Sequence, residues 1–368
     1  MIVSKILLYH LQMRLQTPFE TSFGRAQVRE SILLEAHADR LVGYGECVAD
    51  RDPGYSYETT GTAWIILRDF LIPAILNKDI QNPEDVQTYI EHVRGHPMAK
   101  AGLEMVFWDL QGKNRGQSLQ EIIGGRGDRV QVGVSVGIQE SPDALVRVVE
   151  DYQSQGYGRV KIKIKPGRDV SDARSVRQAF PDLRLQVDAN SAYTLESARK
   201  LLPLDDLNLL MIEQPLAEDD LWDHSHLQAE FATPICLDES ILSLRHVRQA
   251  IDMKACQVIN IKSGRVGGLS QAIAIHDLCQ TKGIPVWCGG MLETGIGRAA
   301  NLALSSLPGF AYPGDISATD RYYAEDITQE RFELNSDSTI SIPIKPGLGV
   351  SIDHQTLQKA TINHLTIN

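Results

Sequence analysis

Five charged residues occur at a nearly constant spacing in the second half of the chain. Lys163, Asp188, Glu213 and Asp238 are each 25 residues apart, and Lys262 follows after 24. Three carboxylates brought together repel one another and raise their own pKa values, and a divalent cation removes that repulsion. Oxygen ligands with open positions suit Mg²⁺, or Mn²⁺ as a substitute, better than Zn²⁺. The pattern therefore predicts a metal site formed by Asp188, Glu213 and Asp238, and ion pairs with lysines are the alternative explanation.

Lysines are expected on both sides of this site. Lys161 and Lys163 are two residues apart on a predicted strand, so their side chains share one face, and Lys262 lies across from them. A cation and a second lysine would lower the pKa of a lysine toward a value useful for a general base. The cation would also stabilise the enediolate formed when a proton is removed next to a carboxylate. These residue types predict abstraction of a proton from a carbon next to a carboxylate. With a lysine on each side of the metal, the proton could be exchanged on either face of that carbon.

A repeat of strand and helix positions these residues. Between residues 130 and 288, short runs rich in Val, Ile and Leu alternate with helical patterns, and a charged residue stands at or near the end of most runs. Because the strand ends of a closed parallel barrel converge on one mouth, a βα unit of this size predicts such a barrel. The predicted strands are Val130–Val136, Arg159–Lys165, Leu183–Asp188, Leu209–Glu213, Pro234–Asp238, Gln257–Lys262 and Ile284–Cys288, with Phe310–Asp315 as a candidate eighth. The predicted helices are Ser171–Phe180, Thr194–Leu202, Ser243–Ile251 and Leu269–Lys282.

The two chain ends have a different pattern. Strand-like segments up to Glu46, with a turn near Asp39, precede helical patterns at Thr59–Ile75 and Met98–Lys113, which is an α+β order. After Asp320, the alternating segment Thr339–Ile344 is expected to add strands to the first domain. We predict an α/β fold, a (β/α)7β modified TIM barrel at 126–320. An α+β capping domain at 1–125 precedes it, and a C-terminal segment at 321–368 returns to that capping domain.

Composition limits the partners. The chain has 368 residues and a formal net charge of −11, so no basic surface for nucleic acid or an anionic membrane is expected. No apolar run reaches the roughly 18 residues of a membrane span, and the N-terminal apolar run is too short for a secretory signal.

The five cysteines form no CxxC pair and are expected to be buried, reduced thiols. We expect a cytoplasmic enzyme, a homo-oligomer by base rate, with a small-molecule carboxylate substrate. The net charge does not exclude such a substrate, because the metal and three lysines would make the mouth locally positive.

These segments together resemble the enolase superfamily, and within it the muconate-lactonising subgroup. The likeness runs from Met1 to about Asp353. It is carried by Lys161–Lys163, Asp188–Asn190, Ile212–Pro215, Leu237–Ser240, Asn260–Gly268 and Gly289–Arg298. The resemblance implies Mg²⁺ bound by Asp188, Glu213 and Asp238, because a Lys or His base with Mg²⁺ is general in this superfamily.

Within that subgroup, the sequence is most similar to the branch of o-succinylbenzoate synthases that also racemise N-acylamino acids, through Phe19–Phe23, Ile235–Ser240, Ile284–Gly290 and Pro313–Ala318. This resemblance implies a lyase of menaquinone biosynthesis in which Lys163 is the base, Lys161 tunes it and Lys262 stabilises the enediolate. A racemase would use Lys163 and Lys262 on opposite faces, and the sequence does not separate the two activities. A dipeptide epimerase fits less well, because its Asp-x-Asp is not apparent, and a catalytically silent barrel protein is the alternative from another class.

Further residues are expected around the reacting groups. Asn190 and Glu239 are close in sequence to metal ligands and are expected to support them. Arg265 has two interpretations, a salt bridge at the rim or a charge that tunes Lys262. Ser263 departs from the Pro or Leu common in relatives of this branch and could alter the loop after Lys262. The residues expected to contact substrate are Ser135, Met291 and Glu293 at strand ends and Phe19, Phe23 and Tyr55 in loops that cap the barrel.

Overall fold

The computed structural model describes residues 1–368, and its N-terminal part is an antiparallel sheet packed on a long helix. The strands are β1 (Lys5–Thr21), β2 (Gly24–Ala38) and β3 (Leu41–Cys47). The helices are α1 (Thr60–Ile66), α2 (Ile72–Ile75), α3 (Val86–Ile90), α4 (Pro97–Arg115) and α5 (Leu119–Ile123), with a π-helical turn at Leu67–Leu71 joining α1 to α2. The expected turn between β2 and β3 is present, and Asp39 takes a left-handed φ of 52° there.

Strand β1 contributes to two apolar cores. Ile6 and Leu8 are buried in the core between the sheet and α4, whereas Leu11 and Met13 belong to the core of the barrel. The pairing of β1 with β2 is unbroken from Lys5 to Arg14, so even-numbered and odd-numbered residues of β1 face opposite sides of the sheet. Ile6 and Leu8 therefore face one core, and Leu11 and Met13 face the other. The capping domain is therefore joined to the barrel by continuous packing along one strand.

The central part is a barrel of parallel strands. The strands are β4 (Arg129–Gln131), β5 (Val134–Val136), β6 (Arg159–Lys163), β7 (Arg184–Asp188), β8 (Ile212–Glu213), β9 (Ile235–Leu237), β10 (Val258–Ile261) and β11 (Val286–Cys288). Strands β5 to β11 form one parallel sheet in sequence order, as successive βα units do. The helices are α6 (Pro142–Ser154), α7 (Val170–Ala179), α8 (Leu195–Ala198), α9 (Leu221–Glu230), α10 (Leu244–Asp252), α11 (Ser263–Val266), α12 (Leu269–Lys282) and α13 (Gly295–Ser305), and a 3₁₀ segment, Arg199–Leu207, follows α8.

The observed strands are shorter than the apolar runs that predicted them. Apolarity reports burial on both faces, but a strand also needs a hydrogen-bonded neighbour, and pairing in a barrel is staggered. The run Val130–Val136 divides at Gly133, with β4 leaving the barrel sheet. The candidate eighth strand closes the barrel through parallel bridges from Phe310 to Val286 and from Gly314 to Val132. It is not a continuous strand, and Pro313 within it has no N–H to donate.

The C-terminal segment divides between the two parts of the molecule. It contains α14 (Thr319–Tyr322), β12 (Thr339–Ser341), α15 (His354–Ala360) and β13 (Thr361–Ile367). The expectation that Thr339–Ile344 packs on the first domain is wrong, because β12 pairs with β4 beside the barrel. Strand β13, which the sequence pattern did not reveal, pairs antiparallel with β1 at the edge of the capping sheet. The domain limits at residues 125 and 320 stay predictions.

The helices and the cysteines bear on two expectations from composition. None of the helices combines the length and the apolar character needed to cross a membrane. All five cysteines are free and buried.

Candidate active site

The three regularly spaced carboxylates converge at the mouth of the barrel. Asp188 ends β7, Glu213 ends β8, and Asp238 follows β9, and the parallel register places Asp188 directly beside Glu213. One oxygen from each residue lies within 4.8 Å of the others. All three residues are fully buried. Three hard oxygen donors at this separation fit a divalent metal ion, because such an ion relieves the repulsion between buried like charges.

Strand β6 directs two lysines at this carboxylate triad. Lys161 Nζ lies 3.0 Å from Glu213 Oε2 and 3.1 Å from Asp188 Oδ2. Lys163 Nζ is 2.6 Å from Asp188 Oδ2 and donates to Asn190 Oδ1 at 2.7 Å. The two lysines point inward together because strand side chains alternate with a period of two. The salt-bridge interpretation and the metal interpretation therefore describe the same residues, since every carboxylate that could bind an ion is also paired with a cation.

Lys262 approaches the triad from the other side. Its Nζ donates to Asp238 Oδ2 at 2.7 Å and to Tyr55 Oη at 3.0 Å. Tyr55 Oη in turn donates to Asp238 Oδ1 at 2.9 Å, so a loop of the capping domain completes this side of the site. The rim position considered for Arg265 is wrong. Its guanidinium is buried, pairs with Asp238 and donates to the carbonyl of Asn260, because α11 turns it back into the barrel.

The ionisation of the triad is uneven. Burial and the adjacent Asp188 carboxylate raise the pKa of Glu213 to about 8. Although burial opposes ionisation, Lys163 and Lys161 hold the pKa of Asp188 below its usual value. Lys262 and Arg265 likewise outweigh burial and lower the pKa of Asp238. Burial favours the neutral amine of Lys262, but Asp238 outweighs it and raises the pKa of Lys262. The expected lowering of a lysine pKa depends on a bound cation and stays a prediction.

Asn190 links the two sides of the triad. Its side-chain oxygen accepts from Lys163 and its amide donates to Glu239 Oε1 at 2.8 Å. Asn190 has a left-handed φ of 44°, a conformation that asparagine tolerates better than most residues. Burial and the nearby Asp238 carboxylate raise the pKa of Glu239 to about 8, and its second oxygen has no hydrogen-bond partner. Both residues therefore touch the reacting groups or the residues that hold them.

A cavity of about 400 Å³ opens from the lysines to the capping loops. Lys161, Lys163 and Lys262 reach it, and so do five of the six predicted substrate contacts: Phe19, Phe23, Tyr55, Ser135 and Met291. Glu293 does not line the cavity, so that expectation is wrong. Its Oε1 accepts from Asn301 of α13 at 2.9 Å, because the chain turns after Met291 and directs the carboxylate toward the helix. Ser263 Oγ donates to the same Asn301 at 3.1 Å, so the departure at position 263 adds a hydrogen bond behind Lys262.

Sequence reasoning missed four polar residues of the barrel interior. Asn260 donates to Glu213 Oε1 at 2.7 Å, and Gln214 Oε1 accepts from the backbone N–H of Asp238 at 2.9 Å. Asp315 and Arg159 form a buried pair with an Nη1–Oδ1 distance of 2.6 Å. Asn260 and Arg159 share the strand parity of Lys262 and Lys161, which was the available signal. Asp315 ends the candidate eighth strand, Phe310–Asp315, so the signal that identified the other charged residues was present for Asp315 but was not used.

Comparison with known proteins identifies the family. Residues 4–124 match the family of mandelate racemase / muconate lactonizing enzyme N-terminal domains, and residues 144–356 match the family of enolase C-terminal domain-like domains. The chain is 48% identical to an o-succinylbenzoate synthase from Geobacillus kaustophilus, over 98% of this chain and 96% of that one. It is also 48% identical to an N-succinylamino acid racemase from Amycolatopsis sp., over 98% of both chains. A solved structure of an enolase superfamily member from Listeria innocua superposes with a TM-score of 0.96 at 41% identity, covering 100% of this chain and 99% of that one. With both domains matched, and with a parallel barrel capped by an antiparallel sheet, this chain belongs to the enolase superfamily.

Proposed function

We propose that this chain is a Mg²⁺-dependent lyase that dehydrates 2-succinyl-6-hydroxy-2,4-cyclohexadiene-1-carboxylate to 2-succinylbenzoate, as an o-succinylbenzoate synthase of menaquinone biosynthesis. The observation that carries the proposal is Lys163 facing the cavity beside the carboxylate triad, in a chain closely related to proteins of that name. Mg²⁺ is favoured over softer metals because all three donors are carboxylate oxygens. The oligomeric state and the compartment stay predictions.

Lys163 would remove the proton next to the substrate carboxylate. Lys163 lines the cavity, and its Nζ donates to Asn190 Oδ1 at 2.7 Å, which fixes the direction of the amine. A cation held by Asp188, Glu213 and Asp238 would act as a Lewis acid that stabilises the enediolate charge. Lys163 would then return its proton to the departing hydroxyl on the same face, which releases water and leaves an aromatic ring.

Lys262 would supply positive charge on the face of the substrate opposite Lys163. Asp238 favours its ammonium form, and Tyr55 fixes its direction. A charged group already in place needs no reorganisation when negative charge develops on the substrate. Phe19 and Phe23 contribute apolar surface from the capping loops, which would limit access of water to the enediolate.

Purified protein with Mg²⁺ should convert the cyclohexadiene substrate, and formation of the aromatic product can be followed by absorbance. Lys163→Ala should reduce turnover by about 10³-fold, since general-base catalysis contributes roughly 10²–10⁴. Lys165→Ala is the matched control, because Lys165 lies two residues further along but pairs with Glu20 outside the cavity. Turnover by Lys163→Ala close to that of the control would contradict the proposed mechanism.

Racemisation of N-succinylamino acids is the second candidate activity. It is favoured by the two lysines on opposite sides of the triad and by relatives named as such racemases at 45% and 48% identity. Specificity constants measured on both substrates would rank the two activities. Exchange of the α-proton from both enantiomers in deuterated water would show whether both lysines act as bases.

A catalytically silent barrel protein is the alternative from another class. It predicts no Mg²⁺ binding by calorimetry and no turnover of either substrate. The proposed lyase predicts both, and it also predicts loss of activity with a chelator and recovery when Mg²⁺ is restored.

A further inference from the structure

A buried ion-pair chain lies beneath the carboxylate triad. We call it the Asp315 cluster, and it consists of Arg159, Lys161 and Asp315. Asp315 Oδ1 is 2.6 Å from Arg159 Nη1, and Asp315 Oδ2 is 2.6 Å from Lys161 Nζ. Arg159 also donates to the carbonyl of Pro313 at 2.7 Å. The three residues are between 0 and 5% exposed, and Lys161 and Asp315 also line the cavity.

Local structure explains why the cluster forms. Arg159, Lys161 and Lys163 occupy successive inward positions of β6, so Lys161 lies one layer below Lys163 and Arg159 lies two layers below it. Asp315 is held by its backbone N–H, which donates to the carbonyl of Cys288 at 2.9 Å as the closing segment passes the barrel. Gly133 leaves space for Arg159, because a Cβ at position 133 would lie 2.4 Å from Arg159 Nε.

Lys161 is shared between the cluster and the triad. Of its three carboxylate partners, two are the proposed metal ligands Asp188 and Glu213, at 3.1 and 3.0 Å. Asp315 is the third and the closest, and it is the only one of the three outside the triad. An ammonium group without Asp315 would have only the two ligand carboxylates as partners, and it would then compete with a metal ion for their oxygens.

We propose that Asp315 is a positioning residue that draws the Lys161 ammonium away from the ligand oxygens and so maintains the metal affinity of the triad. Arg159 fixes the other oxygen of Asp315, and Gly133 provides the space that Arg159 needs. This inference rests on the proposed function, because it assumes that the triad binds a divalent cation.

The simpler explanation is that Asp315 only stabilises the fold by neutralising Arg159. The chain offers a matched control for that explanation. Asp326 is buried, pairs with Arg298 at 3.4 Å and accepts from the backbone N–H of Gly295, away from the triad. Asp326→Asn should lower the melting temperature without changing metal affinity.

The experiment measures Mn²⁺ binding directly, by calorimetry or by electron paramagnetic resonance, on the full chain. Asp315→Asn should weaken Mn²⁺ binding by about tenfold or more, the usual range for groups that orient metal ligands. Gly133→Ala retains every charge, but its Cβ would lie 2.4 Å from Arg159 Nε and 2.7 Å from the Arg159 carbonyl oxygen. It should therefore displace both the Arg159 side chain and the adjoining backbone, and it should weaken binding in the same direction by a smaller factor. In a Lys161→Met background, the added Asp315→Asn substitution should cause little further loss of affinity.

Three results would overturn the inference. The first is unchanged Mn²⁺ affinity in Asp315→Asn with a lowered melting temperature, as in the control. The second is an undiminished effect of Asp315→Asn in the Lys161→Met background, which would mean that Asp315 acts through its charge and not through Lys161. The third applies if Asp315→Asn does not fold, and it is an unchanged Mn²⁺ affinity in Gly133→Ala. Failure of the wild-type chain to bind Mn²⁺ would instead contradict the proposed function.

Discussion

Lys163 and Lys262 face each other across the carboxylate triad, but different parts of the molecule hold them. Lys163 is bound by Asp188 and Asn190, which both belong to the barrel. Lys262 is bound by Asp238 of the barrel and by Tyr55 from a loop of the capping domain. The hydrogen bonds of Lys163 therefore come from the barrel, and the cap reaches Lys163 only through the Phe19 ring, whose centroid lies 5.9 Å from Nζ. The hydrogen bonds of Lys262 are complete only when the capping loop is in place.

This difference suggests how one site could serve two reactions. A base must be in position whenever substrate binds, and Lys163 meets that requirement through the rigid ends of neighbouring strands. Lys262 depends on a loop, so its direction and its charge can change with small alterations in the cap. We expect substitutions on the Lys163 side to affect both reactions and those on the Lys262 side to affect racemisation more.

The largest contrast should come from replacing each lysine by arginine, which retains the positive charge but does not act as a base near neutral pH. Lys163→Arg should reduce dehydration and racemisation by about 10³-fold or more, because both need this base. Lys262→Arg should retain dehydration within about tenfold, since only charge is needed there, but should lose racemisation. Steady-state kinetics on both substrates would test this, and equal loss of dehydration in the two variants would contradict the assigned roles.

The stability that comes from the contact between the capping domain and α13 should depend on pH. Glu46 on β3 accepts from Thr294 and from the backbone N–H of Gly297 at the start of α13, and burial raises its pKa from 4.5 to about 7. Between these values the unfolded chain releases a proton that the folded chain retains at Glu46, so the Glu46 contribution to stability falls as pH rises and levels off above about 7. The Glu46 contribution to this loss is at most about 3 to 4 kcal/mol, because one pKa unit corresponds to about 1.4 kcal/mol.

Chemical denaturation at pH 5 and pH 8 would measure that effect. Glu46→Gln should lose less stability than the wild type over this range, because glutamine does not titrate. Glu218→Gln, at an exposed position, is the control and should follow the wild type. If Glu46→Gln and the wild type lose the same stability, Glu46 is not the group that titrates.

Removing one hydrogen bond from each lysine would test the same difference between Lys163 and Lys262 with a smaller loss of activity. Asn190→Ala removes the acceptor for Lys163, and Tyr55→Phe removes the hydroxyl that bonds to Lys262. Each should cost roughly 1.5–3 kcal/mol, or about 10- to 150-fold in kcat/KM, as hydrogen bonds to charged groups do. Asn190→Ala should lower both activities together, whereas Tyr55→Phe should lower the racemase activity more, and the reverse pattern would contradict the comparison.

The smallest effect is expected at the capping loop itself. A Cβ at Gly54 would lie 2.6 Å from Phe23 Cδ2, so Gly54→Ala should push the Phe23 ring away from Tyr55. Because Phe23 is half exposed and can move, we expect a rise in KM of about two- to fivefold with kcat nearly unchanged. Gly61→Ala in the capping domain, where a Cβ would have space, is the control. A fall in kcat without a change in KM would show that the loop acts on the chemical step.

Much of the site followed from chain order alone. Asp188, Glu213 and Asp238 converge because successive βα units place strand ends side by side, and Lys161 and Lys163 share a face because strands alternate. Glu293 was assigned wrongly because residues beyond a strand end no longer obey that alternation. Arg265 was placed at the rim as one of two interpretations, since nothing in its sequence neighbourhood shows that α11 turns its side chain inward.

What the amino-acid sequence determined by itself is local and periodic: the βα repeat, the inward charges and the family to which the chain belongs. Only the tertiary structure decided the rest, namely the contact of Tyr55 with Lys262, the placement of Asp315 under Lys161 and the pairing of β13 with β1. The physical reason is distance along the chain. Those contacts join segments more than 150 residues apart, so they arise from how the two cores pack and leave no periodic trace in either segment.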